Sequence, residues 1–171
     1  MTKTEDKTKV TTKKIGLNPK EKVKIRQSSI EGRNLCIVRI SGKVGLNKDV
    51  IETLDRLRLR KKYSCIVMKP TKEQAGMIKK IRSFVAYGDI KNDILEKLIA
   101  NRGQPADKSK KIDSKKAAEG ITKGEKFEDL NLRPFFRLHP ARKGMVTKFH
   151  FPKGVLGDNG DKINDLVERM L

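Results

Sequence analysis

The stretch from residue 34 to residue 90 constrains the fold more than any other feature of the chain. Apolar, β-rich runs at 34–41, 63–69 and 85–87 predict three short strands. Between them, apolar residues recur at the three- and four-residue spacing that is typical of amphipathic helices. The order strand, helix, strand, helix, strand therefore predicts a βαβαβ core domain over residues 34–90.

Local signals predict where these two helices begin. Asn47 is a candidate N-cap for the first helix, and the acids of its first turn and the arginines of its last complement the helix macrodipole. Pro70 ends the second strand because it cannot donate to a ladder. Thr71 and Gln74 then predict a capping box at the start of the second helix.

Two less regular segments flank the core. Residues 1–33 are rich in Lys and Arg and poor in large apolar residues, so they are predicted to form a basic arm that orders on a partner. Residues 91–171 are predicted to form an appendage. Its predicted parts are a helix closed by Gly103, a basic loop at 104–116, a short helix near 114–119 that ends before Gly120, strands at 135–138 and 146–151, and a C-terminal amphipathic helix with Asp161 as N-cap.

The charge balance indicates a polyanionic partner. The chain carries 41 Lys and Arg against 21 Asp and Glu, a net charge of +20. Such an excess destabilises a compact chain by self-repulsion unless a partner neutralises it, and nucleic acid is the usual partner. No apolar run reaches the roughly 18 residues that suggest a membrane span. Cys36 and Cys65 both lie in apolar runs, which predicts reduced core thiols in a cytosolic protein.

The cations cluster in the arm, near residues 56–62, in the 104–116 loop, and across a segment without acids from 131 to 157. Arg binds phosphate bidentately and can stack on bases, whereas Lys acts as a point charge. The candidate RNA-binding residues are Arg33, Arg39, Lys43, Arg56, Arg58, Arg60, Lys61, Lys62, Lys108, Lys110, Lys111, Arg133, Arg137, His139, Arg142, Lys143 and Lys148. Four phenylalanines interleave with the last cluster: Phe135, Phe136, Phe149 and Phe151. Such aromatic residues can stack on RNA bases, but they are more often part of a hydrophobic core.

The patterns of most enzymes are missing from the sequence. His139 and His150 have no metal-ligand spacing, and neither a P-loop nor a dinucleotide-binding glycine pattern occurs. The sequence therefore predicts no cofactor, no metal, no small-molecule substrate and no catalysis. One rival is an acylphosphatase-like enzyme, suggested by the ISGKVGLN loop after the first strand, although that loop lacks the expected QG continuation. A second rival is a free RNA- or DNA-binding protein.

Three blocks of this chain resemble the large-subunit ribosomal protein L-thirty family in its archaeal form, called L-seven in eukaryotes. They are residues 36–90, with Gly76-Met77 and VAYGD at 85–89 where the family has a GM and a VAWGE-like strand, then FFRLHPARKG, then DKINDLVERML. The chain departs from the family's LHPPRGG at Ala141 and Lys143, which predicts either a looser turn or an added phosphate contact. Its basic arm is also longer than compact archaeal members carry.

The resemblance implies an α+β fold in which the three core strands form an antiparallel sheet, ferredoxin-like in part, with a C-terminal appendage. Pattern alone does not give that sheet, because a strand-helix-strand unit is by default a right-handed parallel crossover. The resemblance also implies a structural constituent of the large ribosomal subunit, located in cytoplasmic ribosomes. Its expected partners are large-subunit rRNA and neighbouring ribosomal proteins, with 5S rRNA left open as a further partner.

Overall fold

The computed structural model describes residues 32–107 and 112–171. The first 31 residues of the predicted arm and three candidate RNA-binding residues, Lys108, Lys110 and Lys111, lie outside this range. The elements in chain order are β1 (Leu35–Arg39), α1 (Lys48–Arg56), β2 (Ser64–Met68), α2 (Lys72–Ile81), β3 (Val85–Asp89), α3 (Asn92–Arg102), α4 (Ser114–Lys123), β4 (Phe136–Arg137), β5 (Gly157–Asp158), a 3-10 turn (Gly160–Lys162) and α5 (Ile163–Met170).

The strands form one sheet in the order β4-β2-β1-β3-β5. In the centre, Ile37 of β1 lies opposite Ile66 of β2 on one side and Tyr87 of β3 on the other, and both pairings are antiparallel. The antiparallel three-stranded sheet implied by the resemblance is therefore confirmed. The two-residue strands widen it, since β4 pairs antiparallel with β2 and β5 pairs parallel with β3.

The sheet is covered on both faces, which explains why every residue of β1 is buried. Alternate strand residues point to opposite faces, so each face contributes to a separate core. One core joins the sheet to α1 and α2 through Leu35, Ile37, Ile66, Val85, Tyr87, Leu54, Leu57, Ile78 and Ile81. The second joins the opposite face to α3, α4 and α5, and residues from 91 onward supply most of it.

Cys36 and Cys65 lie in the second core on neighbouring strands. Both are buried and free, and their Sγ atoms are 3.4 Å apart. The hydrogen bond with Cys36, together with burial, raises the pKa of the Cys65 thiol well above its ordinary value. Such thiols are poorly reactive because the thiolate is the nucleophile.

The predicted start of α2 is confirmed. The Thr71 hydroxyl accepts from the amide of Gln74, and the Gln74 side chain accepts from the amide of Thr71 at 3.0 Å. Asn47 occupies the N-cap of α1, but its side chain makes no capping hydrogen bond.

Three predicted boundaries in the C-terminal half are wrong. Helix α4 continues through Gly120 to Lys123. Gly120 serves packing and does not end the helix, because a Cβ at this position would lie only 2.7 Å from Cδ2 of Leu130. Residues 146–151 form a loop whose backbone bonds go to residues 154–156, with one isolated β-bridge between His150 and Leu156, and the strand follows at β5. Asp161 lies inside the 3-10 turn, and Lys162 is the N-cap of α5.

Candidate nucleic-acid interface

Arg39, predicted to contact RNA, is instead an interior residue. It is 0% exposed, because β1 is covered on both faces. Its guanidinium donates to the carbonyls of Leu59 at 2.7 Å, Ser41 at 2.9 Å and Gly42 at 2.9 Å, and more weakly to that of Arg60 at 3.3 Å. Arg39 therefore ties the loop after β1 to the turn before β2 and positions the cations of both.

The guanidinium of Arg39 is a charged group removed from solvent. Burial lowers the pKa of its guanidinium from the ordinary value, and the carboxylate of Asp55 opposes that shift. Because an arginine stays protonated in proteins, a cation is held beneath the surface and is satisfied mainly by backbone carbonyls.

The end of α1 and the turn before β2 present exposed cations, which we call the turn cluster: Arg56, Arg58, Arg60, Lys61 and Lys62. Arg56 is held by Glu52 in an exposed ion pair at 2.6 Å. Arg58, Arg60 and Lys61 have no ion-pair partner among the described residues, so their charges are available to an external anion. The Lys62 ammonium lies 4.8 Å from the ring centre of Tyr63.

Arg58 ends helix α1 in a left-handed conformation, with φ of 59°. Its amide donates to the backbone carbonyl of Asp55 at 3.0 Å, and the amide of Leu59 donates to the backbone carbonyl of Leu54 at 2.8 Å. This is the hydrogen-bond pattern of a Schellman motif, in which glycine usually occupies the left-handed position. An arginine here places a cation at the helix end in a conformation that L-residues disfavour.

A second group of exposed basic residues, the HPARKG cluster, begins at the end of β4 and continues in the turn after it: Arg137, His139, Arg142 and Lys143. The end of α5 holds this segment in place. The amide of His139 donates to Met170 and the amide of Arg142 donates to Arg169, both at 2.9 Å.

The side chain of Arg169 completes this attachment. Its guanidinium donates to the carbonyl of Arg142 at 3.0 and 3.1 Å and also to that of Gly144. Arg169 is not among the residues predicted from sequence to belong to the site, because a basic residue in the last turn of a helix is already explained by its interaction with the helix macrodipole.

Strand pairing brings the two clusters together although about 80 residues separate them in sequence. Ser64, directly after the turn cluster, pairs with Arg137, and the carbonyl of Tyr63 accepts from the amide of Leu138 at 2.9 Å. Lys43 lies at the same end of the sheet, because Arg39 links the neighbouring Gly42 to the turn. We call this surface the basic end; it comprises Lys43, Arg58, Arg60, Lys61, Lys62, Arg137, His139, Arg142 and Lys143.

The remaining candidates lie outside the two clusters. Arg33 precedes β1 at the opposite end of the sheet and pairs with Asp89 at 3.0 Å. Arg133 is exposed beside the 104–107 segment, since its amide donates to Gln104. Lys148 is exposed in the loop that precedes β5.

The four phenylalanines divide by exposure. Phe136 is fully buried and Phe135 is partly buried against the first core, as expected of core residues. Phe149 and Phe151 are exposed.

Across residues 32–107 and 112–171, no group of His, Cys, Asp or Glu has the geometry to hold a metal ion. In the same part of the chain, no helix has the length and apolar character that crossing a membrane requires.

The chain is similar in sequence to a family of ribosomal proteins. Residues 35–85 match the family model described as ribosomal protein L30p/L7e. The large ribosomal subunit protein uL30 of Archaeoglobus fulgidus is 36% identical over 149 residues, which cover 79% of this chain and 98% of that protein. The proteins of the same name from Methanococcus maripaludis (strain DSM 14266) and Methanobrevibacter smithii are 37% and 35% identical, covering 80% and 79% of this chain and 98% of each relative. This chain therefore belongs to the L30p/L7e family of ribosomal proteins.

Proposed function

We propose that this chain is a structural constituent of the large ribosomal subunit in cytoplasmic ribosomes, and that it binds rRNA through the basic end. One observation carries the choice of surface: exposed cations from two distant segments converge at one end of the sheet. Its relatives from Archaeoglobus fulgidus and Methanococcus maripaludis are named large ribosomal subunit protein uL30, which supports the large subunit as the place where this binding occurs.

Binding on this surface is electrostatic docking followed by a fit of shape. Each cation that neutralises a phosphate releases counterions, so affinity falls steeply with salt. Arg58, Arg60 and Arg142 offer planar donor groups that match phosphate, whereas the lysines act as point charges. A-form RNA hides its major-groove edges, so contacts favour phosphates, 2′-hydroxyls and unpaired loops. No chemical step on the RNA is needed for this role.

The buried network beneath the surface supports this role. Arg39 fixes the turn cluster from below, and Arg169 fixes the HPARKG cluster from the side. Cations held on a rigid scaffold lose less conformational entropy on binding than cations on a free tail. Neighbouring ribosomal proteins and 5S rRNA are further partners within the proposal.

A gradient experiment tests the proposal. Lysate from cells that express the chain is run on sucrose gradients at low and high salt, and the chain is expected to co-migrate with large subunits at both. The variant Arg58→Ala/Arg60→Ala should be released at lower salt. The control Lys123→Ala/Lys126→Ala removes the same charge from exposed positions outside the basic end and should behave as the parent.

Migration of the parent chain as free protein would reject the ribosomal role and favour the free nucleic-acid-binding alternative. Equal release of both variants would keep the ribosomal role but reject the basic end as the surface. Sequencing of RNA crosslinked to the bound chain separates large-subunit rRNA from 5S rRNA.

A further inference from the structure

The segment between the HPARKG cluster and β5, residues 145–156, is a loop held together by its own backbone. The amide of Val155 donates to Val146 at 3.1 Å, that of Gly154 to His150 at 3.0 Å, and that of Leu156 to Phe149 at 3.2 Å. The chain segments approach so closely that a Cβ on Gly154 would lie 2.8 Å from the carbonyl oxygen of Val146. The loop therefore has a defined shape before any partner binds.

This loop turns large apolar side chains toward solvent. Phe149 is 56% exposed, Val146 52% and Phe151 38%. By contrast, Leu156 is buried, and Met145 and Val155 pack against the second core. The only other large hydrophobic residue that is exposed among those the structure describes is Val44. The two ends of the loop are thus anchored while its middle displays two aromatic rings.

The surroundings of these rings are basic. Lys148 and Lys153 are exposed on the loop itself, and the ammonium of Lys162 lies 5.5 Å from the ring centre of Phe151. The sequence has no acid from residue 131 to residue 157. A protein partner would need an acidic, apolar face to match this surface. An unpaired nucleotide matches it directly, because its base offers a flat π-face that can stack on an aromatic ring and its two flanking phosphates are anions.

We infer that the loop at 145–156 binds unpaired RNA, with a base stacked on Phe149 and the adjacent phosphates neutralised by Lys148 and Lys153. This inference rests on the proposed function for the choice of RNA as the partner and extends it to a second kind of contact. The basic end binds backbone phosphates of any RNA helix, whereas this loop requires a base whose face is free. The loop joins β5 beside the start of β3, so it lies at the same end of the sheet as the basic end.

A fluorescence experiment tests the stacking. The chain contains no Trp, so Phe149→Trp gives the full-length protein a single reporter at the proposed site. Twelve-nucleotide oligouridine should quench this fluorescence, and a twelve-base-pair RNA duplex should not. Phe149→Leu keeps an apolar side chain but removes the ring, and it should weaken oligouridine binding by about 5- to 150-fold. Its affinity for the duplex should stay at the parent value. Val146→Ala, in the same loop, is the matched control and should change neither affinity.

Equal quenching by both RNAs, or equal affinity of Phe149→Leu and the parent for oligouridine, would overturn the inference. A second measurement identifies the partner in the assembled particle. A photoreactive benzophenone amino acid at position 149 should crosslink to rRNA in isolated large subunits, and a crosslink to a neighbouring protein would refute RNA as the occupant. Failure of the parent chain to enter large subunits would refute the proposed function instead, so the two failures are distinguishable.

Discussion

Replacing Arg58 with glycine should stabilise the folded protein and weaken its binding to RNA. Arg58 has φ of 59° at the end of α1, in the position of a Schellman motif that glycine usually fills. The left-handed conformation costs an L-residue about 1–2 kcal/mol. Glycine avoids that cost but loses more backbone entropy on folding, by about 0.5–1 kcal/mol. The net expectation is a gain of about 0.5–1 kcal/mol in the free energy of unfolding.

The comparison that isolates this effect is Arg58→Gly against Arg58→Ala. Both variants remove one positive charge from a chain of net charge +20, so both relieve the same self-repulsion. Only glycine also removes the strain that the left-handed backbone conformation at position 58 imposes on an L-residue. Urea unfolding should therefore give Arg58→Gly a higher midpoint than Arg58→Ala at an unchanged m value. In thermal unfolding the difference corresponds to a rise in Tm of about 2–4 °C per kcal/mol.

RNA binding should change equally in these two variants. Each loses one cation, so the slope of log K against log salt should become shallower by about 0.7–0.9. Equal stability of Arg58→Gly and Arg58→Ala would refute the strain argument. An unchanged salt slope in both would remove Arg58 from the RNA-binding surface.

Two further predictions concern the same scaffold. Lys143 also has a positive φ, 64°, where the family's motif has glycine, so Lys143→Gly should gain about 0.5–1 kcal/mol in stability and lose one unit of charge from the RNA surface. Chemical denaturation and a salt titration measure the two effects, and a loss of stability would contradict the assigned backbone conformation. Arg39→Met should lower the free energy of unfolding by about 2–4 kcal/mol, because it leaves the buried carbonyl of Leu59 and the partly buried carbonyl of Gly42 without a donor. A loss under about 1 kcal/mol in urea unfolding would mean that water replaces the guanidinium there.

The sequence predicted the central elements well because their signals are local. The three strands and the capping box at Thr71 depend on residues within a few positions of each other, and the structure has them within two residues of the predicted bounds. Strand direction does not have a local signal. A period of two residues indicates which face a side chain occupies but not whether the neighbouring strand runs parallel or antiparallel. The antiparallel sheet followed only from the resemblance.

The errors at single residues have a common cause, which is that tertiary contacts decided between two local options. Gly120 was interpreted as a helix stop, but it lies inside α4 where a side chain would collide with Leu130. Residues 146–151 alternate as a strand would, but their backbone groups are satisfied largely within the loop, and the apolar side chains face solvent. Arg39 is among the residues predicted to bind RNA because of its charge, although the apolar run around it is typical of a strand buried on both faces.

Arg58, Lys143 and the loop at 145–156 point to one physical conclusion. Two cations occupy left-handed positions that glycine would fill with less strain, and one loop displays aromatic rings that a core would bury more favourably. Each feature lowers the stability of the isolated chain, and the net charge of +20 adds self-repulsion. All three lie toward the end of the sheet where the basic clusters converge, which is the surface proposed to bind RNA. Under the proposed function, the contacts that RNA makes at this surface offset the stability that the isolated fold gives up there.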